Sequence, residues 1–426
     1  MSPVDGQRAL RVEQALRLLP DIDALLPLRA FVVRTSRGMS EQPYRTVGKR
    51  FVQSGELREF VPRAVARASE HLTALYAAAV EALESEERGD LPGAVHALLS
   101  AGEEEEKVGR FTQARAWYEH ALRVAEELRE RRPEIRSLRN LGRLEAMSGR
   151  QETAARFFQR SLVLAEAELD AHASAIACQG LGDVAQAQGK WQGAGSWYTR
   201  GLQYTESEPA LRAALQLGLG EVARARGQLD TAAEWFRQAG ALFATLRDHQ
   251  GSARVLNAWG LLETLRVRHV EALARYSEAL AGLAGSRRDP SVEMEIRLNL
   301  CELYLEWGRL TDAEDEIRRA EELAIEHNLT ERLARLYVIM GRVRGRQGDD
   351  TGFVFFEKAV ELCRGQEPWP RLEADVYLAY ALFRKDLGDL DECRAYLERA
   401  HEVYEAIGDG AELARVDGEL ARISAQ

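Results

Sequence analysis

Residues 135–161 read IRSLRNLGRLEAMSGRQETAARFFQRS, and the pattern in them returns about every forty residues to the C-terminus. Aligned on the Leu-Gly pair, one column reads Gly102, Gly142, Gly182, Gly220, Gly260, Cys301, Gly341 and Ala381. A glycine inside a helix costs roughly 1 kcal/mol against alanine. Its recurrence at one register therefore marks a place where a neighbouring helix leaves no room for a Cβ. Seven residues on come Gly109, Gly149, Gly189, Gly227, Val267, Gly308, Gly348 and Gly388, the position of a left-handed residue that closes a helix.

Five residues past that turn stand Ala114, Ala154, Ala194, Ala232, Ala272, Ala313, Gly352 and Cys393, the seventh one residue early. Four further on come Tyr118, Phe158, Tyr198, Phe236, Tyr276, Ile317, Phe356 and Leu397, and three further Ala121, Ser161, Gly201, Ala239, Ala279, Ala320, Ala359 and Ala400. Steps of four and three stay on one helical face. The second helix of each unit thus presents a small-large-small stripe to the first.

This spacing resembles the tetratricopeptide repeat, a helix-turn-helix unit of about 34 residues with Leu-Gly, Ala and Phe at set offsets. The resemblance covers roughly residues 92 to 410 as eight units, after a basic N-terminal segment (1–60) and a leading helix (61–91) and before a capping helix (411–426). It implies an all-α, right-handed solenoid of stacked helix pairs. Steps between units of 40, 40, 38, 40, 41, 40 and 40 residues are longer than the common form. They are similar to the arrays of kinesin light chain, of the Leu-Gly-Asn scaffolds and of bacterial peptide-sensing regulators. A stack grows along one axis, so 426 residues do not translate into several globular domains.

The net charge of −11, from 57 basic and 68 acidic residues, argues against general nucleic-acid affinity. Charge is unevenly placed. Residues 29–67 hold nine basic residues and three acidic ones, so this segment is +6 and the remainder −17. If the chain touches nucleic acid, that segment is where it does so; packing on, or regulating, the acidic array is the plainer expectation. Cys178, Cys301, Cys363 and Cys393 are far apart, with no C-x-x-C or H-E-x-x-H, which points to a reduced cytoplasmic setting without a metal or cofactor. No apolar run approaches the ~20 residues that span a bilayer, and the N-terminus lacks a basic-then-apolar leader.

Pro92, Pro133, Pro209, Pro290 and Pro370 suit the first turn of helices. Residues 62–87 read as a long helix. The acidic run from Glu103 to Glu106 reads first as a solvated face and second as a dock for a basic partner. Gly180-Leu-Gly182 and Gly218-Leu-Gly220 lack the preceding strand of a dinucleotide loop. The eight histidines form no constellation with a serine or cysteine, so no enzyme activity is expected.

In proteins with this repeat, positions two, five, six, nine and twelve of each first helix face a concave groove. By register, the resemblance offers Arg136, Arg139, Asn140 and Arg143 in the second unit and Arg254 and Asn257 in the fifth. Asn299 comes from the sixth, and Arg335, Arg342 and Arg346 from the seventh. Asparagine can bond a peptide backbone and arginine can grip a carboxylate, so the expected partner is a protein or peptide, acidic in character. The plain alternative is that these charges pair with neighbouring acids. The expected function is a scaffold or adaptor; the other reading is a ligand-switched regulator whose basic N-terminal segment acts on an effector.

Overall fold

The computed structural model describes residue 78 and residues 91–424 apart from 108–109, 285–289, 328 and 366–368. The basic segment 29–67, and all but Ala78 of the helix expected over 62–87, lie outside the described residues. Seventeen α-helices and one short 3-10 helix, with no strand, account for the described elements. They fall into two compact units, Met1–Gln188 and Gly189–Gln426. The first contains α1 (Leu91–Lys107), α2 (Phe111–Leu128), α3 (Arg131–Met147), α4 (Gln151–Ala167) and α5 (Ala171–Ala187). The second contains α6 (Trp191–Leu202), α7 (Pro209–Ala225), α8 (Leu229–Leu246), α9 (His249–Leu265), α10 (His269–Leu283), α11 (Pro290–Trp307) and α12 (Leu310–Glu326). It continues with α13 (Thr330–Arg346), α14 (Phe353–Cys363), α15 (Pro370–Asp386), α16 (Leu390–Ile407) and α17 (Gly410–Ser424).

Helix pairs close through the large residue of the stripe, an aromatic in all but the sixth and eighth repeats, which have Ile317 and Leu397. Tyr118, Phe236, Tyr276 and Phe356 are fully buried, and the flanking alanines are equally shut from solvent. Their rings occupy the space that a side chain in the Gly column would need. A Cβ on Gly341 would lie 2.5 Å from the Phe356 ring, and on Gly102, Gly220 and Gly260 it would be closer still to Tyr118, Phe236 and Tyr276. Burying one such ring contributes roughly 2 to 3 kcal/mol, which outweighs the helix penalty of the glycine beneath it. The knob also reaches the next repeat: a Cβ on Gly180 of α5 would lie 2.5 Å from Phe158 of α4. In the seventh repeat the missing residue is absorbed by the 3-10 helix Asp350–Gly352, where a Cβ on Gly352 would meet the Gly341 carbonyl at 2.8 Å.

The turn column is left-handed wherever it is described. Gly149, Gly189, Gly227, Gly308, Gly348 and Gly388 have φ between +69° and +81°, and Val267 adopts +60° without being a glycine. In the repeats of α3, α7, α9, α11, α13 and α15 the residue after the turn donates its N–H to a carbonyl five residues back: Arg150 to Glu145, Gln228 to Ala223, Arg268 to Glu263, Arg309 to Tyr304, Asp349 to Arg344 and Asp389 to Arg384. This bond, the signature of a Schellman closure, brings the two side chains together, and they are complementary. Glu145 and Glu263 accept from Arg150 and Arg268. Arg309 lies over the Tyr304 ring at 5.2 Å. The signs then reverse, with Arg344 3.8 Å from Asp349 and Arg384 3.7 Å from Asp389. A side-chain staple of changing chemistry thus sits on a constant backbone bond.

Second helices end differently. Arg129, Leu169 and Arg247 are left-handed without being glycine. The residue after two of them caps the next helix: Asp170 accepts from the Ala173 N–H and Asp248 from the Gly251 N–H, both at 2.9 Å. Pro209 and Pro370 open α7 and α15 in the first turn, and Pro290 is the first residue of α11. All four cysteines are free and buried, with Cys301 and Cys393 in the small-residue columns. Burial pushes the Cys363 thiol up to about 12.

Candidate functional site

The helices form two layers inside each unit. In the first unit α1 packs on α3 and α3 on α5; in the second α7 packs on α9, α9 on α11, α11 on α13 and α13 on α15. Second helices pack onto first helices and have no matching set of contacts among themselves. First helices therefore make the tighter, inner layer of each unit, and their faces turned away from the aromatic stripe form a continuous surface.

That surface is laced by ion pairs from one first helix to the next. In the first unit Arg136 of α3 donates to Glu103 of α1 at 3.0 Å and lies 2.7 Å from Nδ1 of His96. Arg143 grips both oxygens of Glu106, one of them at 2.8 Å, and the Tyr118 hydroxyl donates to the same carboxylate at 2.9 Å. Glu104 pairs with Lys107 along α1, and the buried Glu105 lies 3.6 Å from Arg110. The run from Glu103 to Glu106 is therefore neither a solvated face nor an open dock: every member is engaged within the chain. Their spacing on α1 sets Glu103 and Glu106 toward α3, where their charge is neutralised at once.

In the second unit Arg335 donates to Glu295 at 3.3 Å and Arg342 to both oxygens of Glu302 at 2.6 and 2.7 Å, again from one first helix to the preceding one. Asn299 donates its amide to Asn257 at 2.9 Å. Arg254, exposed on α9, is not without a partner either. Arg346 is exposed in the last turn of α13, where a cation complements the carbonyl end of the helix. Six of the sequence-predicted residues are thus tied in pairs across repeats, while Arg346 and Arg139 make no ion pair among the described residues.

Arg139 and Asn140 stand apart from the others. Asn140 is 4% exposed, and its Nδ2 has no hydrogen-bond partner among the described residues. Arg139, half-buried, has no ion-pair partner among the described residues. Burial, aggravated by Arg136 and Arg143 on the same face, pulls its guanidinium below the ordinary arginine range. Arg143 feels the same burial, but the Glu106 carboxylate more than offsets it and raises its pKa. Glu103 and Asp170 act on Arg139 through space, opposing its downward shift without outweighing it.

Among the described residues, no group of three histidine, cysteine or acidic side chains could hold a metal ion, and no helix is long and apolar enough to cross a membrane.

Residues 94–167 match one model of the tetratricopeptide repeat and residues 374–406 a second. No curated protein matches the sequence. Among solved structures the chain is similar to the Rap conjugation gene regulator of plasmid pLS20 in complex with the Phr* peptide. The identity there is 13% and the TM-score 0.52, over 93% of this chain and 96% of that one. It is also similar to a tetratricopeptide repeat protein from Parabacteroides merdae (17% identity, TM-score 0.44, 68% of this chain and 99% of that). A third is the apo form of the quorum sensor NprR from B. thuringiensis (14%, 0.47, 80% and 99%). The matched models, the column of rings seated on glycines and the shared fold lead to one statement: the chain carries tetratricopeptide repeats, matched over residues 94–167 and 374–406.

Proposed function

We propose that the chain is an interaction scaffold that holds an extended or helical segment of a partner protein against the first-helix layer. The observation that carries this reading is the packing of first helices on one another through α1, α3 and α5, and again from α7 to α15. Such a layer offers a preformed surface whose side chains are held by ion pairs between repeats, so a ligand meets it at little ordering cost. The solved structure of similar fold is described as a regulator in complex with a peptide, which supports a peptide as the kind of ligand. Neutralised pairs such as Arg342 with Glu302 suit orientation of a partner more than its bulk attraction.

The test is to select binders from a displayed library of twelve-residue peptides on the full chain, then place a photoreactive residue at Gln179 on α5 or at Glu152 on the exposed face of α4. Selected peptides are expected to crosslink at position 179 and not at 152. Equal crosslinking at both, or capture only at 152, removes the first-helix layer as the binding surface.

A further inference from the structure

We infer that the edge of the second unit formed by its within-repeat turns is a contact surface for a second copy of the chain, laid against it antiparallel about a two-fold axis between the fifth and sixth turns. The fifth turn departs from the others. Leu265, Val267 and Val270 are 54%, 73% and 66% exposed, where the fourth repeat has Ala225, Gly227 and Asp230 and the eighth has Asp386, Gly388 and Asp391. Val267 also holds φ +60°, a conformation that β-branched residues avoid. Three aliphatic side chains kept in water, one of them on a strained backbone, answer to a contact outside the fold. In the sixth turn Trp307 is half-buried, stacked on His269 with ring centroids 5.5 Å apart and with Arg309 5.0 Å from its ring. Tryptophan and arginine together are typical of surfaces that bind another protein.

The charge of the same edge says what covers it. Over the eight residues from three before each turn residue to four after it, the fourth and fifth turns carry +1 each. The sixth and seventh carry −1 each and the eighth −3, with Arg346 included. Lys190, beside Gly189 at the start of the unit, continues the basic half. The sign therefore changes between the turn that holds the aliphatic cluster and the turn that holds Trp307. An antiparallel second edge sets turn five on six, four on seven and three on eight, with opposite signs at every step. Such a contact uses the same patch on both copies and closes at two. A surface of one sign, whether a lipid headgroup layer or an acidic protein, would match one half and be repelled by the other. The outer charges are open to a partner: Lys190 and Arg226 on one half, and Asp350, Asp386 and Asp391 on the other, are exposed and make no ion pair among the described residues. With an apolar centre this small, association belongs in the micromolar range and dilute chain is monomeric. The contact uses helix ends, so it makes no demand on the first-helix layer.

Sedimentation velocity of the full chain at low salt, from about 1 to about 200 micromolar, tests this. The monomer is expected at the lower end and a dimer at the upper, with the dimer fraction falling as salt is added. Lys190→Glu with Arg226→Glu should weaken self-association roughly tenfold or more, and so should Asp350→Lys with Asp386→Lys and Asp391→Lys. Mixed in equal amounts, these two variants should dimerise again, because each then meets a half of opposite sign; that rescue also shows both to be folded. Val267→Gly should dimerise roughly tenfold more weakly although its backbone is relieved. The inference is overturned if the wild type stays monomeric throughout, if either charge-reversed variant or Val267→Gly dimerises as well as the wild type, or if mixing the reversed variants restores nothing. A monomer that instead binds phosphatidylserine vesicles would also overturn it, and would give the edge to a lipid surface.

Discussion

Val267 stands where six other repeats place a left-handed glycine, at φ +60° and with 73% of its surface exposed. The side chain packs on little that could compensate, and a left-handed backbone costs an L-residue roughly 1 to 2 kcal/mol, more at a β-branched one. Part of that is returned in the glycine variant by greater freedom of the unfolded chain. Val267→Gly is therefore expected to raise the free energy of unfolding by about 1 kcal/mol, read as a higher urea midpoint with unchanged slope; an equal or lower midpoint would show that the valine has packing we have not credited. The two inner-layer asparagines separate in the same assay. Asn299→Ala breaks the 2.9 Å bond to Asn257 and should cost about 1 kcal/mol. Asn140→Ala removes an amide whose Nδ2 is already unsatisfied, so it should change stability by no more than about 0.5 kcal/mol. Similar losses in the two variants would mean that Asn140 has a partner after all.

At the scale of the element, the turn staple shows how one backbone feature accepts several side-chain solutions. The bond from the residue after the turn to the carbonyl five back recurs, while the pair it brings together runs from Glu145 with Arg150, through Tyr304 with Arg309, to Arg384 with Asp389. In the fourth repeat the backbone bond is present, from Gln228 to Ala223 at 2.9 Å, but Ala223 and Gln228 make no ion pair. Installing both partners, Ala223→Glu with Gln228→Arg, should give a favourable coupling of about 1 kcal/mol in a double-mutant cycle, discounted from a buried pair because the arginine of the staple is half-exposed. A coupling near zero would mean that the staple contributes nothing beyond the backbone bond. The staples were open to inspection in the sequence as residues five apart across each turn. They form no column of one residue type, because it is the complementarity that recurs and the sign that changes.

For the whole molecule, what could be read in advance was what sterics fixes locally. The Gly column, the Ala-aromatic-Ala stripe and the turn glycines constrain residues close in sequence, and each showed its register without knowledge of the neighbouring repeat. The arrangement of charge was harder, because it depends on how far one helix slides past another. Glu295 with Arg335 and Glu302 with Arg342 are forty residues apart, one repeat, and were within reach of the alignment. Arg136 with Glu103 is 33 apart and Arg143 with Glu106 is 37, which requires knowing the offset of α3 on α1. The same nearest-neighbour logic governs stability, since a stacked repeat exchanges packing only with those beside it. Gly341→Val would drive a branched side chain into the Phe356 ring, whose atoms leave only 2.5 Å for a Cβ, and overpacking of this kind costs roughly 1 to 3 kcal/mol. The loss should stay local. Amide hydrogen exchange is expected to accelerate in α13 and α14, and more weakly in α11, α12 and α15, which pack on α13, while α3 and α4 keep the wild-type rate. Acceleration of equal size in α3 and α4 would show that the array unfolds as one cooperative body, and that each first helix is held by more than the repeats on either side of it.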